Sequence, residues 1–397
     1  MNKLVKTNIG VITCVIFYPV IPFISLLIFM LIISSIPRIS KLTYYLFFTL
    51  LSTYLGLINI TKVPESDLIN YYSFFFLVED LSFLPYIFFM AKEPVFFIYN
   101  YLMYYLTNSS GNLYILITTI ISYNFLFLAV LNFFKGIKSS KNIILFAIII
   151  VAFFPQLFSL SAHLIRQFMA ASILMYALVQ KFFYKKTVWP FLLIAIFTHS
   201  TALLFIPLLY VNRFREQMKF TTILIISLFF FIIPMLLPIV IKLIINIIGN
   251  NFLTYALNRA IVPGLMGFQS IDFLQLILMF LMVFIVFIRQ YNISKFSNND
   301  SVKGFFHLSN IFFVFSVFIL ANLSRDDISQ RFGFYTYFFF PLIIPLALTL
   351  KHNYVQFIRI FLSMFFIVFF IYRLQFGVWE YGSIVQILFG SIFGFFE

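Results

Sequence analysis

Runs of uncharged, apolar residues follow one another along almost the whole chain, and Lys and Arg fall mainly in the short gaps between them. A helix needs about 20 such residues to cross the hydrocarbon core of a bilayer. In lipid a backbone satisfies its own polar groups only as a helix or a closed barrel. The pattern predicts an all-α, polytopic integral membrane protein. Composition agrees, with 63% hydrophobic and 10% charged residues among 397, against roughly 25% charged in an ordinary soluble protein. The net charge of +14 then reads as loop Lys and Arg kept on the cytoplasmic side, and no nucleic-acid partner is expected. Phe supplies 61 residues and Tyr 23. AT-rich codons favour both, so the aromatics alone do not mark a carbohydrate surface. The one cysteine, Cys14, excludes an intrachain disulfide.

Residues 1–397 are expected to form one multi-pass domain of about ten to thirteen membrane helices. The first run, 9–35, contains Pro19 and Pro22 and is too long for a cleaved signal segment, so it is expected to stay as one span. Later spans include 42–60, 113–134, 142–160, 163–181, 220–247, 304–322, 332–350 and 355–372. Segment 61–112 is acidic and tyrosine-rich, with Glu65, Asp67, Glu79, Asp80 and Glu93 against Lys62 and Lys92. It is placed on the outer face as short interfacial or re-entrant helices, with tyrosines at headgroup depth. Outer loops are expected at 248–270 and 323–331. Segment 188–210 has basic residues beyond both ends. It is either one span or a broken hairpin with His199 near its turn.

Charge is costly at membrane depth, by roughly 2.5 kcal/mol or more near a helix centre, so the polar residues of 163–210 need a reason. His163, Arg166, Gln167 and Ala170 recur at spacings of three and four, which places them on one helical face. Ala170, Ala171 and Ser172 allow a close helical neighbour. Arg166 either holds an anion, most naturally a phosphate, in its planar donor fork, or snorkels to the headgroups. His199, in FTHSTALL, is either a base that titrates near working pH or a hydrogen-bonding residue in a helix break. Asp67 reads by default as a helix N-cap, and Arg331, where a loop enters a span, as a second anion or substrate contact. His307 and His352 read as interface or loop residues. Asp326 and Asp327, flanked by Arg325 and Arg331, read as charge pairs rather than a metal site. No metal and no cofactor is expected, and there is no nucleotide-binding loop or hydrolase motif.

Five motifs in order, SDLINYY, EPVF, RQFMAASILMYAL, FTHSTALLFIPLLY and RFGFYTYF, resemble the EpsG-like branch of the Wzy-type polysaccharide polymerases over roughly 40–350. The resemblance implies a bacterial inner-membrane glycosyltransferase whose active site faces the periplasm. It implies polymerisation of O-antigen, capsule or exopolysaccharide repeat units, with donor and acceptor oligosaccharides both carried on undecaprenyl pyrophosphate. Membrane lipids and a chain-length-regulating co-polymerase are the other implied partners. Arg166 with Gln167 matches the RQ position and would bind the donor pyrophosphate. Arg331 would clamp a second phosphate or the sugar, with His163 and Tyr335 as further substrate contacts. His199 and Asp67 are competing candidates for the base. Three other classes fit less well. A lipid-linked oligosaccharide flippase should show two related halves, an O-acyltransferase would leave the arginines idle, and an O-antigen ligase usually carries one large late loop.

Overall fold

Prolines and serines set most of the helix starts. A computed structural model describes residues 3–36, 39–89, 93–248, 273–294, 300–322, 326–348 and 353–396. The described chain is helical, with no strand among those residues. It runs through α1 (Lys3–Phe17), α2 (Pro22–Ser35), α3 (Lys41–Ile60), α4 (Asp67–Phe76), α5 (Phe83–Phe89), α6 (Pro94–Leu106), α7 (Gly111–Gly136), α8 (Lys141–Phe153), α9 (Pro155–His163), α10 (Ile165–Tyr184) and α11 (Trp189–Thr198). A 3-10 turn, Ser200–Leu204, then leads to α12 (Phe205–Leu209) and α13 (Phe220–Ile248). Helices Phe273–Ser294, Asp300–Ala321, Asp326–Ala347, Asn353–Phe376 and Ile384–Phe389 follow. Pro22, Pro94 and Pro155 sit in first turns, where a missing N–H costs nothing. Ser40 and Ser110 cap α3 and α7, accepting from Thr43 N at 3.0 Å and Leu113 N at 3.4 Å.

Among the described residues, Lys41–Ile60, Gly111–Gly136, Asp300–Ala321 and Tyr354–Phe376 are long and apolar enough to cross a membrane. α8 and α9 make a fifth span if that pair, bent by 51°, is counted as one. The protein is thus an all-α polytopic membrane protein, as its hydropathy pattern predicts.

The chain divides into two compact units, residues 1–206 with 348–397, and residues 207–347. In the first, α7 packs against both α3 and α10. Gly56 permits the α3–α7 approach, because a Cβ there would stand 2.7 Å from Leu116 Cδ1 and 3.1 Å from Leu116 O. Ala170, Ala171 and Ser172 on α10 are fully buried, the close-packing role that small residues play between membrane helices. Asn59 ties three helices together by donating to Thr119 Oγ1 at 3.1 Å and Ser161 Oγ at 2.8 Å. In the second unit the helix Asp300–Ala321 is buried along most of its length. It packs against Asp326–Ala347, with the Phe312 and Phe339 rings 5.5 Å apart.

Four expectations change. The run 9–35 is two helices rather than one span, divided around Pro19–Ile21. α1 folds back on α2, so that a Cβ on Gly10 would lie 3.0 Å from Ile32 Cδ1. Span 142–160 is broken at Phe154, held extended at φ −84°, ψ 109° because the residue before a proline is pushed out of the helical region. α10 starts only at Ile165, so His163 ends α9 and does not share a helical face with Arg166. Asp67 is not the N-cap of α4. That position belongs to Ser66, whose side chain makes no capping bond, and Asp67 lies in the first turn. Residues 249–270 of the outer loop expected at 248–270 lie outside the described residues, as do 323–325 of the later loop and His352.

Candidate active site

Glu93 precedes Pro94, which opens α6. Proline restricts the residue before it, and Glu93 takes φ −135°, ψ 53° with no side-chain capping bond. Its carbonyl accepts from Phe96 N and Phe97 N at 3.1 and 3.4 Å, so the backbone caps the turn and the carboxylate is free to reach elsewhere. It reaches two other helix ends. Oε2 accepts from Nη1 of Arg166, in the first turn of α10. Oε1 accepts from Nδ1 of His199, just past α11, at 2.8 Å and from Ser200 N–H at 3.3 Å.

His199 is where segment 188–210 breaks. Its N–H still closes a helical bond to Ala195 O at 2.9 Å, but its own backbone is extended at φ −153°, ψ 119° and the 3-10 turn follows. The break turns the Ser200 N–H and the imidazole toward one carboxylate. Side-chain exposure is 7% for Glu93, 14% for His199 and 23% for Arg166, so the cluster is largely desolvated and open on the Arg166 side. Rings of Tyr71 and Phe96 wall the guanidinium, whose Cζ lies 5.4 and 5.7 Å from their centres. Its Nε is buried without a hydrogen-bond partner. Burial alone pushes the Glu93 carboxyl up. The His199 bond, the Arg166 charge, the His199 charge and the Ser200 N–H together outweigh it and hold the group below the usual carboxylate range.

This geometry has a chemical consequence. A carboxylate only accepts, so a neutral His199 carries its proton on Nδ1 and leaves Nε2 as a free base. Glu93 thereby fixes both tautomer and ring orientation, the positioning role of the acid in a catalytic triad. The guanidinium adds positive charge beside that base.

The other expected site residues are distributed unevenly. Gln167 is buried beside Arg166 on α10. Asp67 is half-buried and close enough to exert a charge effect on both Arg166 and His163. His163 stacks on Trp379, with ring centres 4.1 Å apart. Tyr335 is buried in the second unit against Phe315. Arg331 lies in the helix Asp326–Ala347, and its side chain is outside the described residues. Glu93 is the residue that sequence reasoning missed as a site member. The signal was present in EPVF, an acid placed before a proline in one of the five motifs. The sequence places Glu93 in an acidic outer segment and in a resemblance motif, with no role of its own.

A family model for the EpsG family matches residues 44–383. The chain belongs to the EpsG family. No curated protein and no solved structure matches it. Membership in EpsG suggests a polymerase-type function in exopolysaccharide or O-antigen synthesis, carried out at a membrane. All three members of the Glu93 cluster fall inside the matched stretch.

Proposed function

We propose that this EpsG-family chain is a Wzy-type glycosyltransferase of the bacterial inner membrane, and that Glu93, Arg166 and His199 form its reaction centre. The observation that carries this reading is the double engagement of Glu93, with Arg166 on one oxygen and His199 Nδ1 on the other at 2.8 Å. A glycosyl transfer from a lipid pyrophosphate needs a base for the acceptor hydroxyl and positive charge for the leaving group. His199 Nε2 takes the proton of the non-reducing-end hydroxyl. The hydroxyl oxygen bonds to the anomeric carbon as the bond from that carbon to the pyrophosphate breaks. The pyrophosphate leaves with the electron pair, and Arg166 stabilises the negative charge.

Arg166 is not a free clamp, since one of its nitrogens is engaged by Glu93. Its remaining donors meet the leaving group while Glu93 holds it in place. Glu93 is a positioning residue for both partners. The Asp67 side chain makes no hydrogen bond or ion pair among the described residues, whereas His199 is oriented by a carboxylate, and this favours His199 as the base. The substrates on this reading are oligosaccharides on undecaprenyl pyrophosphate, met at the periplasmic side, with a co-polymerase setting chain length.

The test is complementation of a clean deletion strain, with surface glycan resolved by length. Wild type restores the long ladder, while His199→Ala and Glu93→Gln, present in the membrane at normal amounts, leave single repeat units. A normal ladder from His199→Ala would overturn the assignment.

A further inference from the structure

A second polar site lies in the same unit, where the chain leaves the helix Asn353–Phe376 and crosses back over α9. The turn is made at Gly377, where a Cβ would stand 2.2 Å from Arg373 O. The segment 377–382 is then fixed to the end of α3. Val63 N–H donates to Glu380 O at 3.0 Å and Gly382 N–H donates to Thr61 Oγ1 at 2.9 Å. Between this strap and α9 is a cleft with about 80 Å³ of free space, lined by Gln156, Arg373, Trp379 and Tyr381 together with apolar Phe158 and Leu374.

Its polar lining is built and unused. Gln156 Oε1 and Tyr381 Oη are buried without hydrogen-bond partners, an unfavourable state that a ligand would relieve. Burial pushes the Tyr381 hydroxyl up, so it stays a donor. Arg373 has no ion pair or side-chain hydrogen bond among the described residues. Trp379 is held in place by the His163 ring at 4.1 Å and by the Lys62 ammonium 4.5 Å from its centre. A fork of guanidinium donors suits a phosphate. An indole suits the C–H face of a sugar, and a buried acceptor and donor suit its hydroxyls.

We propose that this cleft binds the phosphorylated sugar headgroup of a lipid-linked saccharide, as a docking subsite distinct from the Glu93 centre. The choice of a saccharide rests on the polymerase reading. The phosphate-and-hydroxyl chemistry, which phosphatidylglycerol shares, rests on the cleft itself. His163 links the two places, since it packs on Trp379 and ends α9 three residues before Arg166.

The chain has two tryptophans, so Trp189→Phe leaves Trp379 as the sole fluorescent reporter. In phosphatidylcholine nanodiscs, farnesyl-pyrophosphate-linked N-acetylglucosamine should change its emission saturably. Arg373→Gln should weaken that binding about tenfold or more, the loss expected for one charge-assisted bond, and Arg373→Lys should recover part of it. Unaltered titration in Arg373→Gln overturns the proposal, as does no response in the parent protein. An equal response to phosphatidylglycerol overturns the saccharide assignment and makes the cleft a lipid-headgroup site. His199→Gln, carried in the same background, should bind the probe normally while losing chain growth. A failure of the cleft therefore reads out in fluorescence, and a failure of the reaction centre in glycan length.

Discussion

Two histidines, His307 and His199, show how the same side chain serves opposite ends. His307, in the second unit, turns Nε2 to the Leu208 carbonyl at 2.8 Å. Around it, Asn310 donates to Phe214 O at 2.9 Å and Glu216 O at 3.0 Å, and Gln290 donates to Ser309 Oγ and Asn310 Oδ1, each at 2.7 Å. These partners are carbonyls, amides and a hydroxyl, and much of the cluster serves backbone carbonyls left over by the irregular segment 207–219. Membrane proteins pay for broken helices in this way. His199, in the first unit, faces a carboxylate that is also paired with an arginine. Its partner is a charge, and in the neutral ring that bond leaves the opposite nitrogen as the acceptor. A histidine bonded to a carbonyl supports the chain, whereas on the proposed reading the one bonded to an ion-paired carboxylate transfers a proton.

The largest expected difference between the two sites is in activity. Removing a general base lowers turnover by about 10²–10⁴-fold, so His199→Ala should abolish long glycan with protein level unchanged. His307→Ala should instead lower thermal stability by about 1–3 kcal/mol, the cost of stranding a buried carbonyl, with activity per folded molecule retained. Glycan length and melting temperature on the same two variants check both. If His307→Ala loses activity without losing stability, the contrast fails.

The next effect is on Arg166. Arg166→Lys keeps the charge but loses the planar fork, so it should retain part of the activity while Arg166→Ala retains none. Quantifying glycan length across the pair tests whether the fork or the charge matters. A smaller effect is on pH dependence. Glu93 has a depressed carboxyl in the folded state. Its stabilising contribution is therefore complete above the ordinary value of 4.5 and is lost as pH falls through the depressed one. The melting-temperature gap between wild type and Glu93→Gln should not close between pH 7 and 5 and should narrow below pH 4.5. A gap that already closes at pH 6 would show that the carboxylate is not held by its partners. The smallest effect is in packing. Gly56→Val should cost about 1–3 kcal/mol by wedging α3 from α7, measured as thermal stability, without a change in the Glu93 cluster.

Much of the fold was legible because lipid leaves a chain few options. The apolar runs announced helices, but Pro22 and Pro155 fell inside runs expected to be continuous, and the helices begin at them. The candidate site was half legible. Arg166 and His199 were visible because polar side chains inside apolar runs are expensive. Glu93 was less visible because it lies in a segment already rich in acids, where one more carboxylate carries no signal. His163 was misgrouped with Arg166 because a spacing of three implies a shared face only if the helix is continuous. A bend at Leu164, φ −119° and ψ 58°, interrupts it.

The sequence alone determined the all-α membrane class, the family and the positions of the costly polar residues, since each follows from local composition, spacing or motif order. Only the tertiary structure decided which of those residues meet. Glu93, Arg166 and His199 are separated by 73 and 106 residues along the chain, and no local rule links such distances. They meet because three helix ends converge, and a carboxylate buried there is stable only when both of its oxygens find partners.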